Sequence, residues 1–339
     1  MKYILNETPI KTTKGFNVNN IKLDLDLPNI TSFHDYEMKN TSNIQIEESV
    51  LTNYSNRIGI SHNLCKNINI KVTDDLSENL IINYKFDHND NLVDNIDIDV
   101  NENRKSTIII NYESITNNQN YHNGNINVNL SDKSSLELVI INNLNKSSIN
   151  MISSTIKCNT SSKIKVTLLD LKGSVRLYNF ESTTYKNAES LLNNIYIGKE
   201  NDIIDLNYNY INLEENSNSN IEVQGVLLDN AVKTFKGIID FKKGSNNSIG
   251  KENENCLLLS DNVVSKSLPM LLCSEENVEG AHSVSSGKID EHKLFYLMSR
   301  GISLEEAKKL IIISNFEAII STLPDDIKEE IRAVINDIV

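Results

Sequence analysis

The chain has no tryptophan, four prolines, twelve glycines and four cysteines among its 339 residues. Cys65, Cys158, Cys256 and Cys273 stand far apart with no C-x-x-C pair. This argues against a disulfide framework or a closed zinc site and leaves free thiols as the expectation. No run of eighteen apolar residues occurs, and the opening MKYILNETPIK turns polar after five residues. Neither a spanning helix nor a secretory leader is therefore expected, which places the protein in the cytoplasm. Basic residues are in deficit, 33 against 46 acidic for a net charge of −13, which argues against a nucleic-acid partner or an anionic membrane surface. The sequence also lacks G-x-x-x-x-G-K-[ST], G-x-S-x-G, H-E-x-x-H and a glycine-rich dinucleotide turn, so it is read as a non-enzyme.

The length exceeds what one compact core usually organises, which points to two domains or to a solenoid whose coils each pack only on their neighbours. Residues 1–60 show one alternating strand, Ile21, Leu23, Leu25 and Leu27, and are otherwise polar; a short N-terminal segment with little regular structure is expected. Residues 61–287 are a succession of short strand-like runs, among them Ile68, Ile70 and Val72, then Ile126, Val128 and Leu130, then Leu206, Tyr208 and Tyr210. Such alternation marks strands with one buried face. With glycine and proline scarce, asparagine must take many turn positions, because its short amide tolerates positive φ and bonds its own backbone. Residues 187–193 alone have a mildly helical look and are read as a loop or short turn. No clean repeat of roughly 20 to 50 residues is visible, so the pattern leaves open an antiparallel sandwich or barrel and a parallel β-helix.

The sharpest signal lies between Leu257 and Phe316. Leu257 to Leu259 and Met270 to Cys273 are apolar runs bounded by turn formers, after which the period changes. Asp290 is placed to cap a helix carrying Leu294, Leu297 and Met298, Gly301 to close it, and Ser303 with Glu306 to form a capping box for the next. Leu304, Ala307, Leu310, Ile311, Phe316, Ile319, Ile320 and Leu323 keep helical spacing, and Pro324 opens a last helix with Ile327, Ile331, Val334, Ile335 and Ile338 on one face. Residues 288–339 are thus read as a small helical domain that caps the open end of the strand-rich body.

Four features of this stretch resemble the SufB/SufD family of iron–sulfur cluster assembly scaffolds, and its SufD branch in particular: LLLSD at Leu257 to Asp261; Pro269 with Leu271; Val278, His282 and Gly287 in V-x-x-x-H-x-x-x-x-G; and KID-x-x-x-LFYL-x-SRGI from Lys288 to Ile302. A weaker likeness covers Gly225 to Asp229 and Phe235 to Ile239. The resemblance implies a mainly β fold, a right-handed parallel β-helix over 61–287 with the helical domain behind it. It implies a scaffold that pairs with a SufB-like subunit, or with itself, and binds the SufC ABC-type ATPase, which would hydrolyse the ATP. Leu294, Phe295, Tyr296, Arg300, Gly301, Ile302 and Phe316 are the residues assigned to that docking. A transient iron–sulfur cluster shared with the partner is the implied cofactor, with His282 as a metal ligand at the subunit interface.

The family also carries a helical N-terminal domain with no counterpart evident here, and its cysteine two residues before the histidine is Gly280 in this chain. Cys256 and Cys273 are the nearest thiols and are read as small buried hydrophobes; Glu279 is a nearby carboxylate. Cys65, Cys158, His34, His62, His88 and His122 are read as loop residues without a role. The competing class is a β-helical carbohydrate-binding or adhesive protein, disfavoured by the lack of paired catalytic carboxylates on strands.

Overall fold

The computed structural model describes residues 1–11, 17–31, 35–87 and 90–338. Its strands are β1 (Lys2–Leu5), β2 (Ile21–Asp24), β3 (Tyr36–Lys39), β4 (Ile44–Ser55), β5 (Ser61–Val72), β6 (Leu80–Phe86), β7 (Asn91–Val100), β8 (Lys105–Ser114), β9 (Tyr121–Leu130), β10 (Ser135–Asn143), β11 (Ile149–Cys158), β12 (Lys163–Lys172), β13 (Val175–Thr184), β14 (Glu189–Gly198), β15 (Ile203–Asn212), β16 (Asn218–Leu227), β17 (Val232–Phe241), β18 (Ile249–Leu258), β19 (Val264–Cys273) and β20 (Glu279–Gly287). Three helices follow, α1 (Glu291–Ser299), α2 (Leu304–Ile320) and α3 (Asp325–Ile338).

From β5 onward the chain winds as a parallel β-solenoid of about eight turns. Odd strands from β5 to β19 stack into one sheet and even strands from β6 to β20 into the other, each parallel to the strand one coil before it, and β4 and β3 respectively complete the nine strands of each. Odd strands begin at Ile149, Val175, Val232 and Val264 among others, so a coil takes between 26 residues (Ile149 to Val175) and 32 (Val232 to Val264). That variation, with corners of unlike sequence, explains why no repeat is visible in the one-dimensional pattern. The alternating apolar residues meet between the sheets in one continuous core, from Ile68 and Ile82 to Phe241 and Cys256.

The corners explain the asparagines. Among the described residues, nine of the thirteen non-glycine positions with positive φ are asparagine. Asn187, Asn216 and Asn247 stand at the same corner of successive coils, and each donates its backbone N–H to the next corner, to Glu215 O at 3.1 Å, Asn246 O at 2.9 Å and Asn277 O at 2.7 Å. The left-handed turn thereby satisfies backbone groups along the solenoid axis as well as reversing the chain. Residues 187–193 accordingly make a corner and then the first residues of β14, which corrects the loop reading.

Among the described residues of 1–60 there are four strands where one was expected. β3 and β4 run antiparallel to β6 and β5 and are the outermost strands at the first coil. β1 and β2 pair with each other and lie on the outer face of the odd sheet, where Leu5, Leu25 and Ile30 pack with Ile58 and Ile60 over Cys65, Val93, Tyr121, Met151 and Leu177. Asn6 is fully buried there and donates to Asp205 Oδ1 and to Tyr178 O, while Lys236 donates to Asn6 O at 2.8 Å and pairs with Asp205 at 2.5 Å.

The helix signals read from sequence hold. Asp290 accepts from His292 N, Ser303 and Glu306 form a reciprocal capping box, and Gly301 has φ +89°. Their placement differs from the expectation of a cap over the end. Ile312, Phe316, Ile319, Ile320, Leu323, Ile327, Ile331 and Ile335 pack on the flank of the even sheet, against an outward apolar stripe of Ile109, Val139, Ile141, Leu169, Leu171, Ile195, Ile197 and Val226. A central strand with apolar residues on both faces needs a cover on its outer side. The helices supply it, and the far end of the solenoid stays open. No helix among the described residues is long and apolar enough to cross a membrane.

Candidate functional site at the open end

β19 and β20 are the outermost strands of their sheets. Every residue of β20 from Glu279 to Ser286 is exposed, and Leu258, Val263, Leu271 and Val278 are only partly buried above the core. At the opposite end the outermost strands are the antiparallel β3 and β4; at this end they are the parallel β19 and β20, whose unpaired edges can take another strand.

His282 lies in the middle of β20 in direct register with Glu252 of β18. Paired residues of parallel strands share a face, and even positions here face the interior: Cys256 belongs to the core, and a Cβ on Gly280 would meet Phe241 and Leu271 at 3.2 and 3.4 Å. His282 is thus the uppermost residue of an interior column, exposed above and backed by Glu252 below. Glu279 falls on the opposite face, 3.9 Å from Lys251, so it is no partner to His282. Gly280 faces inward without offering a thiol.

Beneath His282 lies a charged cluster that sequence reasoning missed. Lys233 and Glu254 form an ion pair with both side chains fully buried. Ser267 donates to Glu254 at 2.5 Å and Tyr196 donates to it at 3.1 Å, while Lys233 also donates to Ser267 at 3.0 Å. Glu252 is 2% exposed, and neither of its carboxyl oxygens has a hydrogen-bond partner. Burial first, and then the charge of Glu254, push its pKa up to about 8. The signal was present in KENENC: strand alternation puts Glu252 and Glu254 on the same face as Cys256, once that face is known to be the inner one.

The thiols are all free. Burial raises the pKa of Cys256, with Lys233 opposing, and pushes Cys158 up to about 12; neither is poised as a thiolate ligand. Cys273, at the end of the outermost strand β19, is exposed, which corrects its reading as a buried hydrophobe. Cys65, Cys158, His62 and His122 belong to β5, β11 and β9, which corrects their assignment to loops. His62 contacts Tyr121 Oη at 2.9 Å and is held by burial down to about 4. His122 is fully buried between Asp94 at 3.0 Å and Asn150 at 2.6 Å. His34 and His88 lie outside the described residues. Among the described residues no three His, Cys, Asp or Glu side chains converge to hold a metal ion.

A further exposed apolar surface is on the first helix. α1 contains no buried residue, with Phe295 73%, Tyr296 58% and Met298 42% exposed. Arg300 lies over the Tyr296 ring at 5.4 Å, Gly301 is exposed, and Leu294 and Ile302 are half-buried. Phe316, grouped with these from the sequence, is fully buried against the even sheet and offers no surface; that assignment is corrected.

Comparison with known proteins agrees with this architecture. Residues 84–315 match the family model described as the SUF system FeS cluster assembly, SufBD core domain. The iron–sulfur cluster assembly protein SufD of Bacillus subtilis is 34% identical over 112 residues, which are 33% of this chain and 26% of that protein. The SufB protein of the same organism is 28% identical over 125 residues, 37% of this chain and 27% of that one. A SufBD family protein of Archaeoglobus fulgidus is 30% identical over 165 residues, 48% of this chain and 43% of that one. The chain thus spans about a quarter of the length of the two Bacillus relatives and less than half of the archaeal one. With the family model covering more than half of the chain and the solenoid beneath it, this protein belongs to the SufBD family of the SUF iron–sulfur cluster assembly system.

Proposed function

We propose that the chain is a SufD-like scaffold subunit of a cytoplasmic iron–sulfur cluster assembly complex, pairing with a SufB-like solenoid through the edges of β19 and β20 and docking a SufC-like ABC ATPase through α1 and the turn at Arg300, Gly301 and Ile302. The observation that supports the reading is the exposed nine-residue parallel edge strand β20, with His282 at its middle, at the end of the solenoid next to α1 in the chain. Iron and sulfide are cargo assembled at that junction, with His282 as this chain's ligand. ATP hydrolysis falls to the partner.

The docking test uses point substitutions in α1. Deleting residues 290–339 would also strip the cover from the apolar stripe of the even sheet, and a lost complex would then report misfolding as readily as lost docking. Co-expression with both partners and affinity purification should return a three-component complex. Phe295→Asp should lose the ATPase and keep the SufB-like subunit; retention of the ATPase by this variant would refute the docking surface. A second copy of the chain is the alternative occupant of the open edge. Light scattering of the isolated protein separates the two, a monomer supporting the heteromeric pairing and a dimer the homomeric one.

A further inference from the structure

We propose that Asn6, Lys236 and Asp205 form a self-modifying triad, in which the Lys236 amine displaces ammonia from the Asn6 carboxamide and stitches the N-terminal segment to β17 through an amide bond between side chains. The inference goes beyond the scaffold reading and does not depend on it.

The three residues come from the N-terminal segment, β15 and β17, and none is more than 1% exposed. Asp205 Oδ1 accepts from Asn6 Nδ2 at 2.5 Å and pairs with Lys236 Nζ at 2.5 Å, so the two nitrogens are at most 5.0 Å apart, the sum of those distances. Lys236 Nζ also donates to the backbone oxygen of Asn6 at 2.8 Å, which holds the amine against the residue it is to attack. The side-chain oxygen of Asn6 accepts from Asn179 Nδ2 at 2.8 Å. A nucleophile, an amide carbonyl, a carboxyl that touches both nitrogens and a donor on the carbonyl oxygen are thus gathered in one dry place. Two other buried ion pairs lack a part of this set. Glu254, paired with Lys233, is met by the hydroxyls of Ser267 and Tyr196 and not by a carboxamide. Asn142 does bond the carboxylate of Asp170, but the cation there is the guanidinium of Arg176, which keeps its proton and is no nucleophile.

Moving one proton from the ammonium to the carboxylate turns two buried charges into none, the direction that desolvation favours. Burial raises the Asp205 carboxyl above its ordinary range, with the Lys236 charge opposing. The lone pair freed on Nζ attacks Asn6 Cγ, and Asn179 Nδ2 bonds the oxygen on which negative charge develops. Asp205 passes its proton to Asn6 Nδ2. The Cγ–Nδ2 bond then breaks with its electron pair on nitrogen, and the new Nζ–Cγ amide remains. Lys236 gives up two protons in all, and both leave on the departing nitrogen as ammonium, so no oxidant, reductant or co-reactant is needed. The fold supplies the proximity that a free amine and amide lack. The product ties a segment that is hydrogen-bonded near the first coil, through Asn6 N to Ile58 O at 2.9 Å, to the last odd strand but one.

The test is intact-mass spectrometry of the purified full chain after prolonged incubation in the folded state. The parent should weigh less than its sequence by one ammonia. Trypsin should then release Tyr3–Lys11 joined to Thr234–Lys242, uncut after Lys236, as one branched peptide. Asp205→Asn and Lys236→Met should keep their sequence masses and give the Asn6 peptide unjoined. A variant that fails to fold would stay unlinked as well, so the parent decides the matter. A parent at its sequence mass would overturn the proposal, and so would an ammonia loss that maps elsewhere, as a succinimide at another asparagine would. Because the measurement needs no partner, its outcome is independent of whether the open end pairs with a SufB-like subunit.

Discussion

Glu252→Gln gives a prediction whose size follows from the structure without reference to any metal. The carboxyl titrates near 4.5 in its ordinary state and is pushed up to about 8 by burial in the fold. Between those values the folded chain holds a proton that the unfolded chain has released, so the native state binds more protons and its stability falls as the pH rises. The contribution is fully present below pH 4.5 and is lost as the pH passes 8. At 1.36 kcal/mol for each tenfold change in the proton equilibrium, the parent should lose about 3 kcal/mol from this one group between pH 5 and pH 8. Glutamine cannot titrate. In urea unfolding followed by far-UV circular dichroism, the variant and the parent should be close in stability at pH 5, and the variant should be the more stable by about 2–3 kcal/mol at pH 8. Two curves that stay parallel across that range would show that Glu252 is neither dry nor unpartnered, and the reasoning about the inner cluster would fail with it.

Three further outcomes follow from the packing. Lys233→Met should destabilise the chain by about 3–5 kcal/mol because it leaves Glu254 buried without its counter-charge, whereas the double change Lys233→Met with Glu254→Leu should recover most of the loss; urea midpoints of the two variants check this, and equal losses would contradict it. Phe316→Ala should cost about 3–5 kcal/mol and expose the stripe of Ile109, Ile141 and Ile195, read as increased binding of a hydrophobic dye. Gly225→Ala should lower the thermal midpoint, since a Cβ there would lie 1.9 Å from the Tyr196 ring and Tyr196 would have to abandon Glu254; an unchanged midpoint would show that the ring moves freely.

The parts of the fold that depend on neighbours in sequence were legible in it. Asp290, Gly301, Ser303 and Glu306 act within one helical turn of themselves, and each caps as its position predicts. Asparagine at the corners could likewise be expected, because positive φ is a local demand. What depends on neighbours a coil away was not legible. His122 and Cys158 looked like loop residues because their strand partners, Asn150 above the one and Thr184 beside the other, are distant in sequence. The helices were sent to the open end because their apolar faces reveal the need for a cover without revealing which surface needs covering; the outward stripe from Ile109 to Val226 becomes visible only when the coils are in register. Phe316 went astray for the same reason. Of the candidate site, His282 was legible through the resemblance and Glu252 was not, since a glutamate between lysine and asparagine looks solvated until strand parity turns it inward.

The most direct measurement is hydrogen–deuterium exchange of the chain with and without a SufB-like subunit. Protection confined to residues 264–287, with β3 and β4 at the opposite end exchanging as before, is the predicted result. Unchanged exchange at β20, or protection concentrated at β4 instead, would contradict the claim that the open end is where this scaffold joins its partner.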